Sequence, residues 1–522
     1  MMKLSRTLII ACSMLILAGG TAKGQNGIKM EAENASYVHC KLVQDNSYSG
    51  GKALELTETN AKITFTYQAE KKGKYDILVG YDGLYGDKQV NVAVNGSNGT
   101  FVTKGRGETS VGTFFINQGT NSIVITPGLT WFRIDYIRIQ ASDNDLAFDI
   151  RTTPVDGQAT EAARKMYALL YDNFGKKTIS GIMTGDMASA NGNITQHADV
   201  QAVYQASGKY PALVGFDFMN STGTTEGWAK DYTRAAISLA KDLYQRGGLP
   251  NFTWHWRDPS RKTWEFYSDK CNMKISDAFN ANGTWNKASA LYQNIVKDID
   301  DVADYFLELQ EAGVACIFRP LHEASGGCFW WGREGAGPFL KLYHLMYDEM
   351  VNVKGVHNII WVWNAGEYDT AWNPGENFYD VVSADVYNPA YDYSSNYVLF
   401  DKLKALTKGK KIIALSENGP IPDIDKEVDE EAVWSWWMPW YQTWGGGFVN
   451  QTSSSEWKKC MNDERVITLD DLSAGWDAYS GIMAVKQSAP TSQYFYDLQG
   501  RRLQQAPDKG IYIHHGKKII VR

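Results

Sequence analysis

Cysteines are few in this sequence, and they follow no metal-binding or disulfide pattern. Six occur among 522 residues, and none forms a C-x-x-C pair. Such a sparse set gives neither a disulfide framework nor a zinc site. We therefore expect the five cysteines beyond position 12 to be mostly buried free thiols, with a single disulfide as the alternative.

Long basic runs are also absent. The chain has 52 Lys and Arg against 59 Asp and Glu, which gives a net charge of −7. This balance argues against nucleic acid as a main partner and favours a neutral or weakly charged substrate. With 44% hydrophobic and 13% aromatic residues, the chain is able to form the cores of two or three domains.

Beyond the N-terminus, no apolar run is long enough to span a bilayer, so no transmembrane segment is expected after signal removal. The first residues carry Lys3 and Arg6, an apolar stretch over residues 8–17 and then small residues, a pattern typical of an export signal. We predict a signal peptide at residues 1–25 and export to the periplasm, cell surface or extracellular space. A lipid anchor at Cys12 is the alternative.

Residues 28–141 predict a β-sandwich. Short alternating apolar runs such as AKITFTYQ, KQVNVAVNGS and NSIVITPG are separated by Gly, Asn and Thr at fairly even spacing. Even spacing of short strands and turns is typical of this architecture. The polar stretch ASDNDLAFDIRTTPVDGQ then separates this module from the rest of the chain.

Residues 155–488 predict a (β/α)8 barrel. Eight strand-like runs alternate here with amphipathic stretches such as TRAAISLAKDLYQRG and KDIDDVADYFLELQEAG. An open doubly wound sheet is the alternative, but no glycine-rich phosphate loop follows the first strand. The predicted strands lie in residues 176–185, 210–218, 249–256, 314–323, 357–366, 379–388, 410–419 and 433–441. Residues 493–522, with turn signals and short alternating runs, predict a small C-terminal β-tail.

Two glutamates, Glu323 and Glu417, each end an apolar strand-like run. The carboxyl ends of parallel strands form the mouth of a barrel, where such folds place their chemistry. Because alternate residues of a strand share a face, we expect Arg319, Leu321 and Glu323 to point the same way. A carboxylate directed into a barrel is costly unless it is paired or used. Arg319 is the predicted partner, and a purely structural ion pair is the alternative.

Paired carboxyl groups are the machinery of glycoside hydrolysis. A retaining enzyme needs one protonated acid and one ionised nucleophile about 5–5.5 Å apart, whereas an inverting enzyme needs about 6.5–9.5 Å. Strands four and seven of an eight-stranded barrel approach each other across the mouth, which favours the shorter distance. A glutamate at a strand end is weak evidence by itself, because Asp258, Asp385 and Glu367 also follow strand-like runs.

Tryptophans are numerous, with 18 in the chain, and many lie beside the predicted strand ends. Sugar rings pack their C–H faces on aromatic rings, so a cleft of tryptophans predicts a polysaccharide substrate. Core packing is the alternative for each of them. The tryptophans concerned are Trp254, Trp256, Trp330, Trp331, Trp361, Trp363, Trp436, Trp437 and Trp440.

The segment FRPLHEASGGCFWWG resembles the acid/base signature of glycoside hydrolase family 26, IIALSENG resembles its nucleophile segment, and FTWHW resembles its third-strand histidine motif. The resemblance covers roughly residues 160–481. It implies a (β/α)8 barrel and a retaining mechanism, with Glu323 as general acid/base and Glu417 as nucleophile. No cofactor for catalysis is implied.

The same resemblance implies roles for further residues. His255 and Trp256 are expected to contact the substrate, and Tyr387 to hydrogen-bond the nucleophile. The other implied residues are Trp330 and Trp440, which stack on sugar, and His322, which orients the acid. The chain departs from the family pattern at Ala324, Ser325 and Cys328, the last of which stands where a Trp is common, and this puts the leaving-group contacts in question.

Family resemblance also predicts the substrate. Most members of the family cleave β-1,4-mannan, so we expect a β-mannanase that acts on mannan, galactomannan, glucomannan or manno-oligosaccharides. The alternatives are a β-1,3-xylanase, a mixed-linkage β-glucanase, and a non-catalytic glycan-capture protein.

The N-terminal module resembles carbohydrate-binding modules of families 6 and 35 in its first segment, IKMEAENAS, and its last, LTWFRIDYIRI. The resemblance implies a structural Ca²⁺ ion held by Glu31, Glu33 and Asp135, which offer the hard oxygen ligands that Ca²⁺ prefers. It also makes Trp131 a sugar-stacking residue, with Tyr81 and Tyr85 as weaker candidates. A sandwich that binds neither sugar nor calcium is the alternative.

Overall fold

The computed structural model describes residues 27–142, 146–443, 446–473 and 475–476, together with four short strands between 495 and 521. The predicted signal peptide lies outside the described residues. Contacts divide the chain into two compact units, the first ending at Ser142 and the second beginning at Asp143, except that the short segment Ala93–Gly99 is grouped with the second. The predicted limits of the barrel and of the C-terminal tail stay predictions.

Residues 28–141 form a sandwich of two antiparallel sheets. The strands are β1 (Ile28–Glu31), β2 (Ser36–Val38), β3 (Lys41–Gln44), β4 (Lys52–Leu56), β5 (Lys62–Ala69), β6 (Gly73–Asp82), β7 (Gln89–Val94), β8 (Ser97–Val102), β9 (Arg106–Ile116), β10 (Gly119–Pro127) and β11 (Phe132–Ala141). One sheet has the order β3-β4-β11-β6-β9, with β1 beside β11, and the other has the order β2-β5-β10-β7-β8. In β5 the alternate residues Ile63, Phe65, Tyr67 and Ala69 are buried, because successive side chains of a strand point to opposite faces.

The second unit is a closed barrel of eight parallel strands. Neighbours along the chain are neighbours in the sheet, the first strand also pairs with the last, and a bridge between Asn418 and Pro439 joins the seventh strand to the eighth. The strands are β12 (Thr178–Met183), β13 (Leu213–Asp217), β14 (Leu249–Thr253), β15 (Cys316–Arg319), β16 (Ile359–Asn364), β17 (Val381–Val386), β18 (Ile412–Asn418) and β19 (Trp436–Trp437). Each lies within a predicted run, so the order that puts Glu323 after strand four and Glu417 on strand seven is confirmed.

Helices connect the barrel strands, and some of them begin at a capping residue. The side chain of Thr160 accepts a hydrogen bond from Ala163 N, and that of Ser289 accepts one from Tyr292 N, so each satisfies a backbone donor of the first turn. The helices of the described residues are α1 (Glu161–Asn173), α2 (Ala198–Ser207), α3 (Gly227–Gln245), α4 (Ala290–Glu311), α5 (Ala336–Tyr347), α6 (Tyr397–Leu406), α7 (Ile424–Asp429), α8 (Ser454–Met461) and α9 (Leu469–Leu472).

The fourth barrel strand is shorter than predicted. It ends at Arg319, because Pro320 cannot donate a ladder hydrogen bond, and Leu321 and Glu323 then both take a φ of +51°. The expectation that Arg319, Leu321 and Glu323 share one face of a strand is therefore wrong. Glu323 reaches the mouth from a tight turn instead.

Several smaller features complete the structure. A short strand, β20 (Val466–Ile467), pairs with β12. The tail strands are β21 (Phe495–Tyr496), β22 (Arg502–Leu503), β23 (Gly510–His514) and β24 (Lys517–Val521). They form an antiparallel sheet in the order β22-β21-β23-β24. The five cysteines of the described residues are free, and three are buried, as predicted. Among the described helices, none combines the length and apolar character that a bilayer crossing requires.

Candidate active site

Three carboxyl groups meet at the mouth of the barrel, from the turn after strand four and from strands six and seven. One oxygen from each of Glu323, Asp385 and Glu417 lies within 4.8 Å of the other two. The structure thus brings together the two glutamates that the sequence singles out and adds Asp385 to them. This separation is well below the about 6.5–9.5 Å of an inverting pair and favours a retaining pair.

A single buried guanidinium, that of Arg319, lies under these acids. Its Nη1 donates a hydrogen bond to Asp385 Oδ2 at 3.0 Å, and its Nη2 donates to Glu417 Oε1. The Arg319 side chain is 1% exposed. Because an unpaired buried charge is strongly destabilising, the fold needs both Arg319 and the acids that pair with it.

Glu417 has donors on both carboxylate oxygens. Besides Arg319, the Tyr387 hydroxyl donates to Oε2 at 2.6 Å, as the family resemblance implies. Burial raises the pKa of Glu417, and the nearby charges of Asp385 and Glu323 raise it further, while Arg319 and Tyr387 lower it. These two direct donors stabilise the ionised form.

Glu323 has a different environment. Burial raises its pKa to about 7, Asp385 raises it as well, and Arg319 lowers it. The carboxyl of Glu323 hydrogen-bonds to that of Asp385, and two carboxyl groups need a proton between them to do so. Burial also raises the pKa of Glu417, to about 8, so burial alone does not assign the proton and the direct hydrogen bonds to Glu417 decide between the two glutamates. They place the retained proton on Glu323 and the negative charge on Glu417.

The backbone of Glu323 is held in a conformation that is uncommon for residues other than glycine. At a φ of +51° it lies in the left-handed region, and its N–H donates to Asn364 Oδ1 at 2.7 Å. Trp331 Nε1 donates to the carbonyl of His322 at 2.7 Å and fixes the preceding residue. Such strain persists only where the surroundings impose it, and it is concentrated at functional sites.

His255 lies beside the carboxyl cluster and is oriented by an acid that the sequence analysis missed. Asp217 Oδ2 lies 2.6 Å from His255 Nδ1, and Asp217 Oδ1 accepts from the His255 N–H at 3.1 Å. His255 Nε2 lies 3.2 Å from Nε2 of His322, whose other ring nitrogen contacts the Thr253 hydroxyl. Burial and the Arg319 charge lower the pKa of His322, so this imidazole is neutral. His322 therefore supports His255, and its predicted role in orienting Glu323 stays a prediction.

Two other predicted residues lie at the mouth. The Trp440 ring is half-buried with its centroid 6.0 Å from that of His255, and the backbone N–H of Trp440 donates to Asn418 O at 3.0 Å. Tyr387 is 46% exposed, so one side of its ring is open to solvent while its hydroxyl contacts Glu417.

Trp256 and Trp330 do not contact the mouth, and their predicted roles in substrate binding are wrong. Both are fully buried. Trp256 Nε1 donates to Asp298 Oδ2 at 2.9 Å, and Trp330 Nε1 donates to Trp256 O at 2.7 Å. Since neighbouring side chains at a strand end alternate, an inward His255 turns Trp256 outward into the packing between barrel and helices.

The crowding of tryptophans at the strand ends thus has a structural cause. Core packing, the alternative weighed for each residue, applies to nearly all of them, and only Trp440 is accessible. Eight of the nine are at most 1% exposed: Trp254, Trp256, Trp330, Trp331, Trp361, Trp363, Trp436 and Trp437.

In the sandwich, the predicted calcium ligands lie around the turn at Ser49. Glu31 Oε1 accepts from the Ser49 hydroxyl at 2.7 Å, and Asp135 Oδ1 accepts from the Ser49 N–H at 2.9 Å. Oε2 of Glu31 and Oε2 of Glu33 are buried without a hydrogen-bond partner. Burial raises the pKa of Asp135, and the negative charge of Glu31 raises it further.

The predicted sugar-stacking residues of the sandwich differ in exposure. Trp131 is 50% exposed and Tyr85 is 75% exposed, and their ring centroids are 6.4 Å apart in an edge-to-face arrangement. Tyr81 is 6% exposed, and its hydroxyl accepts a hydrogen bond from Lys104 N, so this weaker candidate is wrong.

Comparison with known proteins agrees with this architecture. The model of glycosyl hydrolase family 26 matches residues 155–471, and that of carbohydrate-binding module family 35 matches residues 28–142. A mannan endo-1,4-beta-mannosidase from Thermothelomyces thermophilus is 31% identical over 91% of this chain and 99% of its own length. Mannan endo-1,4-beta-mannosidase B from a Piromyces species is 30% identical over 90% of this chain and 80% of its own length.

Solved structures also match most of the chain. A Podospora anserina GH26-CBM35 beta-(1,4)-mannanase superposes with a TM-score of 0.57 at 29% identity, covering 87% of this chain and 100% of that one. A ruminal GH26 endo-beta-1,4-mannanase superposes with a TM-score of 0.62 at 25% identity, covering 87% of this chain and 99% of that one. The predicted barrel, sandwich and family resemblance are confirmed. This chain is a retaining glycoside hydrolase that belongs to glycosyl hydrolase family 26, and it carries a family 35 carbohydrate-binding module at its N-terminus.

Proposed function

We propose that this protein hydrolyses internal β-1,4-mannosidic bonds of mannan, galactomannan or glucomannan by double displacement. The proposal depends on oxygens of Glu323 and Glu417 lying within 4.8 Å of each other. This is close to the about 5–5.5 Å of a retaining pair and too short for the about 6.5–9.5 Å of a water-activating pair. The names of the relatives from Thermothelomyces thermophilus and Piromyces support the choice of mannan and of internal cleavage.

In the first step Glu417 attacks the anomeric carbon while Glu323 transfers its proton to the glycosidic oxygen. The bond from C1 to the leaving oxygen breaks, a bond from C1 to Glu417 forms, and the shortened chain departs as an alcohol. The Tyr387 hydroxyl and Arg319 hold Glu417 in line for the attack. This covalent route divides one difficult displacement into two easier ones.

In the second step Glu323, now ionised, takes a proton from a water molecule that attacks C1. The ester bond to Glu417 breaks, the nucleophile is restored, and the sugar leaves with its original configuration. Asp385 contributes by hydrogen-bonding to Glu323, since its negative charge favours return of the proton to that carboxyl. His255 and Trp440 line the position of the attacked sugar.

The experiment is a reducing-end assay on unbranched mannan, galactomannan, β-1,3-xylan and mixed-linkage β-glucan. We expect release from the two mannans, with products of intermediate size appearing first. Release from xylan or glucan alone would overturn the substrate assignment. No release from any polymer, with Glu323 and Glu417 intact, would favour glycan capture. NMR of the first anomer formed tests retention.

For the sandwich, we propose that Glu31, Glu33 and Asp135 hold a Ca²⁺ ion and that Trp131 and Tyr85 contact sugar. The two buried carboxylate oxygens without a partner fit a hard cation, and the ion would neutralise the negative charge of this turn. The exposed Trp131 ring supports the sugar contact. Titration with Ca²⁺ followed by calorimetry, and affinity electrophoresis in mannan with Trp131→Ala, test the two parts separately.

We further propose that the protein is exported. Lys3 and Arg6, followed by an apolar stretch and small residues, support this proposal. N-terminal sequencing of protein secreted or released to the periplasm tests it, and a retained N-terminus in a cytoplasmic fraction would contradict it.

A further inference from the structure

The turn that carries Glu323 has one side that packing does not hold. Three residues shortly after this glutamate, Ser325, Gly326 and Cys328, are exposed to solvent. Exposed loop residues are mobile unless hydrogen bonds tie them down. Because a general acid must lie within hydrogen-bond reach of the oxygen that it protonates, the position of this turn matters for catalysis.

On its buried side the turn is fixed by close contacts. Asn364 Oδ1 accepts a hydrogen bond from the Glu323 N–H at 2.7 Å. Gly332 lies so close to the carbonyl of Ala324 that a Cβ at position 332 would collide with it. These contacts hold the beginning and the end of the turn, and Ser325 lies between them.

An acid on the next loop, Asp369, holds the exposed side. Its Oδ2 accepts a hydrogen bond from the Ser325 hydroxyl at 2.8 Å and another from Gly366 N at 2.6 Å. Asp369 is 6% exposed, so the exposed serine is hydrogen-bonded to a buried partner. A hydrogen bond to a carboxylate is stronger than one between neutral groups, and it is able to fix the turn.

Asp369 itself has a firm support. It begins a single 3₁₀ turn, Asp369–Trp372, in the loop after strand five. The Trp372 ring packs on that of Phe339 in α5 with centroids 5.3 Å apart, and Phe339 is fully buried. The carboxylate of Asp369 is therefore fixed relative to the barrel, as is Asn364 at the end of strand five.

The contribution of Asp369 is one of position and not of charge. Burial and Asp385 raise the pKa of Glu323, and Arg319 lowers it, so Asp369 is not needed for the shift. Asp369 reaches Glu323 only through the hydroxyl of Ser325, a position at which the chain departs from the family pattern. The serine that put the leaving-group contacts in question thus gains a contact within the protein.

We propose that Asp369 is a positioning residue for the general acid: through Ser325 it holds the turn so that the carboxyl of Glu323 reaches the glycosidic oxygen of the bound mannan chain. This inference rests on the proposed function, in which Glu323 is the acid. A displacement of about 1 Å at a reacting group can cost about 10²-fold in rate, so the loss of one tether is large enough to measure.

The test compares Asp369→Ala and Ser325→Ala with the wild type on two substrates. On mannan, whose leaving sugar needs protonation, we expect kcat to fall about ten- to a hundredfold in Asp369→Ala. Ser325→Ala loses one hydrogen bond and should fall about two- to tenfold. The phenol burst from an activated aryl mannoside needs no proton and should stay within about twofold of the wild type in both variants.

Two further variants separate positioning from a general loss of stability. Asp369→Asn keeps an oxygen that accepts both hydrogen bonds, so it should retain most of the mannan activity. Asp156→Ala is the matched control, because Asp156 is 5% exposed and contacts Gln158 N and His357, which precedes strand five at the face opposite the mouth. This control should lower the unfolding temperature and leave the ratio of the two activities unchanged.

The double variant of Ser325 and Asp369, both changed to Ala, should be no worse on mannan than Asp369→Ala alone, because each change removes the same contact. Equal losses on both substrates, or full mannan activity in both single variants, would overturn the positioning role. Ser325 is exposed, so Ser325→Ala decides the matter if Asp369→Ala fails to fold. A Glu323→Ala variant that lost both activities equally, or wild-type protein that cut no mannan, would instead overturn the proposed function.

Discussion

The two units of this protein each bring acidic side chains together, but they differ in the cation that accompanies them. At the barrel mouth, Glu323, Asp385 and Glu417 lie around the buried guanidinium of Arg319, which hydrogen-bonds to two of them. Three carboxyl groups with one permanent positive charge retain a proton readily, because full ionisation would leave two uncompensated negative charges in a buried place.

In the sandwich, the acids lie beside Lys29, whose Nζ lies 3.5 Å from Glu31 and which is 40% exposed, and the charge of Arg106 acts on Asp135 without an ion pair to it among the described contacts. Oxygens of Glu31 and Glu33 remain without a partner among the described residues. An exposed lysine on a flexible stem stabilises a buried carboxylate less than an arginine fixed by two hydrogen bonds.

The two clusters show that acidic side chains serve either proton transfer or cation binding, depending on whether the positive charge beside them comes from the protein or from solution. An arginine that belongs to the chain fixes two acids as anions and assigns the proton to the third, which suits proton transfer. Acids without a fixed partner suit an ion that comes from solution. Removing one negative charge from the barrel cluster should therefore reduce activity, whereas removing one from the sandwich cluster should relieve repulsion in the absence of Ca²⁺.

The largest expected effect is that of Glu417→Ala, which removes the nucleophile. We expect kcat on mannan to fall about 10⁴-fold or more, as for loss of a nucleophile in other enzymes with covalent intermediates. Glu417→Gln keeps the size of the side chain and serves as the control for folding. More than a few per cent of wild-type turnover in both variants, with unchanged circular dichroism, would contradict the assignment.

Glu323→Ala should have a smaller effect that depends on the leaving group. On mannan, whose leaving sugar needs protonation, we expect kcat to fall about 10²- to 10⁴-fold. On an activated aryl mannoside, which departs without a proton, formation of the intermediate should be much less affected and can be followed as a burst of phenol. Glu367→Gln, which changes a glutamate after strand five that pairs with Lys402, is the control. Equal losses on both substrates would exclude Glu323 as the acid.

Asp385→Asn should shift the pH dependence of activity. The general acid must be protonated, so kcat/KM falls as the pH rises through the pKa of Glu323, which burial and Asp385 raise to about 7. Without the negative charge of Asp385, that pKa falls, and the alkaline loss of activity moves to lower pH. Ser416→Ala removes a 2.7 Å hydrogen bond to Asp385 without changing its charge and should leave the profile in place. A shift to higher pH would contradict the shared proton.

Much of this arrangement was predictable because its causes are local in the sequence. Alternation and apolar runs give the sandwich and the eight barrel strands, and strand order then puts Glu417 and the segment with Glu323 across the mouth. The outward direction of Trp256 also follows from alternation once His255 is placed inward, so that error was avoidable. The turn at Pro320 was a further signal, since proline ends a strand.

Other features depend on contacts between distant parts of the chain. Asp217 orients His255 from the preceding strand, 38 residues away, and Asn364 holds the backbone of Glu323 from strand five, 41 residues away. No periodicity in the sequence selects these partners from the other polar residues that follow strands. Asp385 was visible as a strand-end acid, but its hydrogen bond to Glu323 arises only when the barrel closes.

The smallest expected effect is that of Glu33→Gln, which removes one charge from the sandwich cluster. In the presence of a chelator, the variant should be as stable as the wild type or slightly more so, by up to about 1 kcal/mol, because fewer like charges lie around the turn at Ser49. The wild type should gain about 2.7 kcal/mol in Ca²⁺ at 100 times its dissociation constant, and the variant should gain less. Calorimetry of the sandwich transition with Ca²⁺, with Mg²⁺ and with chelator measures these differences, and Glu58→Gln, an exposed glutamate paired with His39, is the control for charge alone. If the wild type unfolds at the same temperature with and without Ca²⁺, the turn at Ser49 is not a cation site. The absence of a fixed arginine would then not explain how the sandwich cluster differs from the barrel mouth.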